Sequence, residues 1–174
     1  MKLSPMFGYL ALAGTVFAGM DGITQPWSKP YCAFACRAVI GSANLTCTKP
    51  AGHAMDDAGG HSHGPPLGLV TTASCRASDF GFLTTLAYCI KLRCNDTARK
   101  IEEYWFAQVA GDFKNPPMWT YNTTLGNIAG TPNITWVSGR TINTTMLVPQ
   151  SSYNIQVNWL EVKEHNSYYL YKYT

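Results

Sequence analysis

The chain has 174 residues, 13% of them charged, and a formal net charge of +3. So weak a charge implies neither a nucleic acid nor a membrane surface as partner, and no nucleic acid is expected. Six cysteines in so short a chain point instead to an oxidising compartment.

The N-terminus agrees. Met1-Lys2 is a short basic start, and Phe7 to Met20 is uncharged and mostly apolar. A run of about 14 residues fits a secretory signal better than a membrane span, which needs ~20. Val16-Phe17-Ala18 matches the small-x-small pattern of signal peptidase, so residues 1–18 are expected to be a signal peptide cut after Ala18. No later stretch approaches ~18 consecutive apolar residues, and the mature chain is expected to have no membrane span. Asn-x-Thr sequons at Asn44, Asn95, Asn122, Asn133 and Asn143 carry no proline in the middle, as expected of a glycoprotein that is secreted or faces outward from the plasma membrane.

Residues 31–41 read as a first helix, opened by Pro30 and ended by Gly41. Residues 49–68 form a loop rich in Gly, Pro and His. Residues 79–93 read as a second helix, capped by Ser78 or Asp79, with Phe82, Leu86 and Cys89 or Ile90 as its apolar stripe. A third helix is expected over 97–110, with Thr97 or Asp96 as cap, Ile101, Trp105 and Val109 buried, and Gly111 as stop. After Gly111 charge thins out and Thr, Asn, Val, Ile and Trp dominate. Residues 119–121, 134–137 and 155–159 read as short strands, with turns at Gly126, Gly130 to Pro132, and Ser138-Gly139. The expected fold class is α+β: a disulfide-stapled, cysteine-rich helical part over 19–111, then a small strand-rich, glycosylated part over 112–174.

The cysteines are Cys32, Cys36, Cys47, Cys75, Cys89 and Cys94. Cys32 and Cys36 share one helix face, so they are expected to reach across to Cys89 and Cys94, in an order that spacing does not specify. Cys47 and Cys75 would form the third bridge. A metal-thiolate site is the competing reading, but the close pairs lack the two-residue spacing that zinc sites favour.

Cys-Ala-Phe-Ala-Cys-Arg at 32–37, Thr46-Cys47, residues 74–90 (SCRASDFGFLTTLAYCI) and Cys94 together resemble the extracellular N-terminal region of fungal ferric reductase transmembrane proteins. Residues 100–105 fit the same pattern, and the closing 161–168 looks like the segment preceding the first membrane helix there. The resemblance implies an ectodomain linked to iron or copper reduction and uptake, with a ferric or cupric ion or a siderophore as possible partner. In that family haem, FAD and NADPH belong to membrane and cytosolic parts. None of those motifs occurs in this sequence, so no cofactor is expected in this chain, and ferric-chelate reductase activity would require a longer polypeptide. Residues 30–36 more weakly resemble the fungal CFEM module, whose Cys-x-Cys pair is missing here.

The loop over 49–68 holds His53, Asp56, Asp57, His61 and His63. Imidazole and carboxylate ligands suit copper, zinc or ferric iron, so His53, His61 and His63 are candidate metal ligands, with solvated side chains as the plainer reading. Asp56-Asp57 reads as a solvated turn, and no nucleophile, base and orienter set is legible. Trp105, Trp136 and Trp159 are expected to fill a small core rather than form a carbohydrate or siderophore platform. Two functional readings follow. One is a non-catalytic ectodomain tied to iron. The other is a disulfide-rich secreted structural or interaction protein, of the cell wall or acting on a host, unrelated to iron.

Overall fold

A computed structural model of the chain describes residues 30–50, 68–111 and 113–160. Helix α1 (Tyr31–Ile40) starts at Pro30, whose carbonyl accepts from Ala33 and Phe34 N–H, and ends at Gly41. Its inner face is mostly small: Ala33, Ala35, Cys36, Val39 and Ile40 are buried. Strands β1 (Lys49–Pro50) and β2 (Leu69–Val70) pair antiparallel, Lys49 opposite Val70 and Pro50 opposite Leu69. Helix α2 (Ala73–Ser78) is capped by the Thr72 hydroxyl, which accepts from Cys75 N–H. It was not legible in the sequence.

Helix α3 (Phe80–Arg93) is the centre of the molecule. Asp79 caps it, and nine of its residues are buried, including Phe82, Leu83, Leu86 and Ile90. A helix buried nearly all round needs apolar side chains on most faces, which this sequence supplies. Each of those large side chains contributes about 2 kcal/mol relative to exposure. Helix α4 (Ala98–Gln108) follows, with Thr97 as N-cap and Ile101, Tyr104 and Trp105 buried. Val109 is buried just beyond it, and Gly111 takes φ +85°. Helix α5 (Tyr121–Gly126) is a short turn against α3 and α4, and residues 150–160 are helical.

Three disulfides close the helical part. Cys32–Cys94 and Cys36–Cys89 tie α1 to α3, and Cys47–Cys75 ties the β1 approach to α2. The residue numbers rise along α1 as they fall along α3, so the two helices run antiparallel. The composition change after Gly111 does not mark a separate core. Trp136, Ile142, Met146 and Val148 join the same buried cluster as α1 and α3.

The architecture is α+β: a mostly helical N-terminal region held by disulfides, with a small two-stranded β element. The individual strands expected after Gly111 are corrected by the structure. Tyr121 begins α5, because the Thr120 hydroxyl accepts from Thr123 N–H and Glu102 accepts from Tyr121 and Asn122 N–H. Three capped amides outweigh the β propensity of the local residues. Residues 155–159 lie inside the helix over 150–160. Positions 152, 153, 156, 157 and 160 are its half-buried face, a helical spacing that the Ile-x-Val-x-Trp alternation disguised. Residues 134–137 form only an isolated parallel bridge, Thr135 with Leu147. Trp105 and Trp136 are core residues as expected, but Trp159 is 57% exposed.

Candidate functional site

Among the described residues the most densely bonded carboxylate is Asp79, which is buried. One carboxylate oxygen, Oδ1, accepts from Phe82 N–H at 2.8 Å and caps α3. The other, Oδ2, accepts from Thr46 N–H at 3.2 Å and from the Thr46 hydroxyl at 2.5 Å. Cys47 adjoins Thr46 and is bridged to Cys75, so one carboxylate knots the loop, α2 and α3 together. Both oxygens are committed to donors, so this group positions backbone rather than facing a ligand. It is also the aspartate beside Cys75 that the sequence offered as helix cap.

A second knot docks residues 142–146 on α3. The Thr85 hydroxyl accepts from Met146 N–H at 2.9 Å and donates to Thr144 C=O at 3.4 Å, standing in for a strand edge. The Thr84 hydroxyl donates to Phe80 C=O and accepts from the Thr145 hydroxyl at 2.8 Å. Gly81 lets the backbone approach: a Cβ there would lie 3.0 Å from Thr144 N and 3.1 Å from Asn143 C. Sequence reasoning missed this Gly81-x-x-Thr84-Thr85 set. The signal available was two polar residues inside an otherwise apolar helix, which require buried partners.

The C-terminal end of α4 gathers two guanidinium groups. Arg37 Nε donates to Val109 C=O at 2.8 Å, and Arg76 Nη1 donates to Ala110 C=O at 3.4 Å. Cations suit the negative end of a helix dipole. Burial, and then the neighbouring Arg37, lowers the Arg76 pKa from its ordinary value. Tyr104 donates its hydroxyl to Ala33 C=O at 3.1 Å, and burial pushes its phenol far above the usual range. Burial, with the Glu102 carboxylate second, pushes Tyr121 up to about 12.

The sequon asparagines lie on the surface. Asn95, Asn122, Asn133 and Asn143 are exposed and Asn44 is half-buried. Exposed apolar side chains include Phe80, Phe106, Phe113 and Met118. Phe80 meets Trp119 edge-on at 6.0 Å between ring centroids.

The metal candidates His53, His61 and His63, with Asp56 and Asp57, lie outside the described residues, as do the expected signal peptide over 1–18 and residues 161–174. Among the described residues no group of three or more His, Cys, Asp or Glu is placed to hold a metal. None of the described helices is long and apolar enough to cross a membrane. No family model, curated protein or solved structure matches the chain.

Proposed function

We propose that this chain is an exported, disulfide-stapled glycoprotein that acts as a structural or interaction module outside the cell or at its wall. The observation that carries the reading is the closure of all six cysteines into three bridges, two of them across the α1–α3 contact. Such bridges persist in oxidising compartments and are rare in the cytosol. Exposed sequon asparagines and the signal-like N-terminus support the same compartment.

The tie to iron has less behind it. The residues that resemble ferric reductase ectodomains are the ones that build this scaffold: the six cysteines, the Asp79 cap, the buried Phe82, Leu83 and Leu86, and the docking pair Thr84 and Thr85. A motif that consists of packing and capping residues supports a shared scaffold, and function on a scaffold lies in sites grafted onto it.

Two measurements test the reading together. Expressed with its own N-terminus in a eukaryotic host, the protein should reach the medium or wall, free of titratable thiols and endoglycosidase-sensitive. A cytosolic product with free thiols would overturn the proposal. Titration calorimetry with Fe(III) and Cu(II) should give the same heats for wild type and for His61→Ala/His63→Ala. Stoichiometric binding lost in the double variant would return the function to metal handling.

A further inference from the structure

We infer that the fold divides the five sequons into two classes: Asn95 and Asn133 accept a glycan on the folded protein, whereas Asn44, Asn122 and Asn143 accept one only before their segments pack. The inference rests on the exported reading for its biological setting. Its chemistry depends only on the geometry of the triplets.

In N-glycosylation the asparagine side-chain nitrogen attacks the anomeric carbon of a lipid-diphosphate-linked oligosaccharide. The N–C bond forms, the anomeric C–O bond breaks, the lipid diphosphate leaves with the electron pair, and the amide nitrogen loses one proton. The transferase must enclose the triplet and read the hydroxyl at its third position. A triplet whose third hydroxyl is bonded inside the fold is therefore closed to it.

Three triplets are closed. In Asn44-Leu45-Thr46, Leu45 is buried, Asn44 C=O accepts from Ile142 N–H at 2.9 Å, and the Thr46 hydroxyl is held by Asp79 at 2.5 Å. Asn122-Thr123-Thr124 lies in α5, where Glu102 accepts from Asn122 N–H. Its Thr124 is fully buried and donates to Thr120 C=O at 2.8 Å. Asn143-Thr144-Thr145 is pressed on α3 at Gly81, and the Thr145 hydroxyl donates to Thr84.

The other two are open. Asn133-Ile134-Thr135 has its first and third residues exposed, while Ile134 is half-buried. The bonds from Trp136 N–H to Leu147 C=O and from Leu147 N–H to Ile134 C=O use one edge of this segment and leave the Thr135 hydroxyl outside. Asn95-Asp96-Thr97 connects α3 to α4, with Asn95 and Thr97 exposed. The Thr97 side chain makes no capping bond to α4. Asn122 and Asn143 themselves point outward, so a glycan added early is compatible with the finished fold at those positions.

The test uses full-length aglycosylated protein with its disulfides intact, a purified oligosaccharyltransferase and its lipid-linked donor. Site occupancy is read by peptide mass spectrometry. On the bridged protein, Asn95 and Asn133 should be modified and the other three should lag by at least about tenfold, since access then requires local opening worth about 1.4 kcal/mol or more. After reduction and alkylation all five should be modified at similar rates. Thr84→Ala, which frees the Thr145 hydroxyl, should raise modification at Asn143 on the bridged protein and leave Asn44 and Asn122 unchanged. Modification of Asn44, Asn122 or Asn143 on the bridged protein as fast as Asn95 or Asn133 would overturn the inference. Because the reaction is run with purified components, that result is separable from a failure of export in cells.

Discussion

Replacing Gly81 by alanine pits helix propensity against packing, and the two predict opposite signs. Alanine in a helix interior is favoured over glycine by about 0.5–1 kcal/mol. At Gly81 the added Cβ would stand 3.0 Å from Thr144 N, 3.1 Å from Asn143 C and 3.3 Å from Ile142 Cγ2. Two of those atoms are backbone in a segment that Thr85 grips at Thr144 C=O and Met146 N–H, so relief means moving the segment. Overpacking a fitted core costs about 1–3 kcal/mol, and Gly81 lies in the first turn of α3, where the alanine gain is at its low end of about 0.5 kcal/mol, which leaves Gly81→Ala net destabilised by about 0.5–2.5 kcal/mol. Urea unfolding should show a lower midpoint with an unchanged slope. Native-state exchange should show the Met146 amide losing protection more than amides of α1. Gly126→Ala is the control: nothing lies within 4 Å of a Cβ built there, so it should be neutral or slightly stabilising. If Gly81→Ala is as stable as wild type or more so, the close approach at α3 is not a constraint and the docking argument fails.

Two further predictions rest on independent contacts. The bridges Cys32–Cys94 and Cys36–Cys89 span 62 and 53 residues, so chain entropy alone separates their contributions by only about 0.1 kcal/mol. Cys36 and Cys89 are both buried, so Cys36→Ala/Cys89→Ala also opens a core cavity and should be the more destabilising double substitution by about 1 kcal/mol or more in urea. An equal or larger loss for Cys32→Ala/Cys94→Ala would show that the buried pair adds only loop closure. Tyr104 sets an alkaline limit. Its folded pKa is raised above the unfolded value of about 10, so its stabilisation is complete below pH 10 and is lost as pH rises toward the folded value. Tyr104→Phe should be about 1 kcal/mol less stable at neutral pH, through loss of the bond to Ala33, yet lose less stability than wild type between pH 10 and 11. Equal losses over that interval would mean the phenol ionises as freely in the fold as in the unfolded chain.

The helical half was legible because its signals are local. Pro30 and Gly41 bound α1, Asp79 caps α3, and Gly111 takes the positive φ that a helix stop calls for. The pairing of cysteines by helix face followed from the same geometry, although which of Cys89 and Cys94 meets Cys32 had to come from three dimensions. The region after Gly111 was less legible because its elements are fixed by distant partners. The start of α5 depends on Glu102, nineteen and twenty residues away from the amides it caps. The Thr135 bridge depends on Leu147, and residues 142–146 depend on two threonines of α3. Propensity read window by window assigns β to such residues, because nothing within the window reports the cap or the dock.

The same contrast bears on where function can reside. The features easiest to read in this sequence are the cysteines, the Asp79 cap and the apolar run of α3, and the fold leaves them little side chain for a partner. Cys36, Cys75 and Cys89 are buried in the core cluster, both Asp79 oxygens are bonded, and α3 is covered on most faces. A resemblance confined to such residues reports how the chain folds, and two proteins can share it while meeting different ligands. What the scaffold presents outward is different in kind: four exposed sequon asparagines, and the β1–β2 pair that sets Lys49 opposite Val70 at the two ends of the histidine-bearing segment. Substituting the histidines of that segment, with the disulfides and α3 left intact, varies its chemistry at constant scaffold. A change in binding from those variants alone would therefore locate function in the segment, and an unchanged partner profile would move the search to the surfaces of α3 to α5.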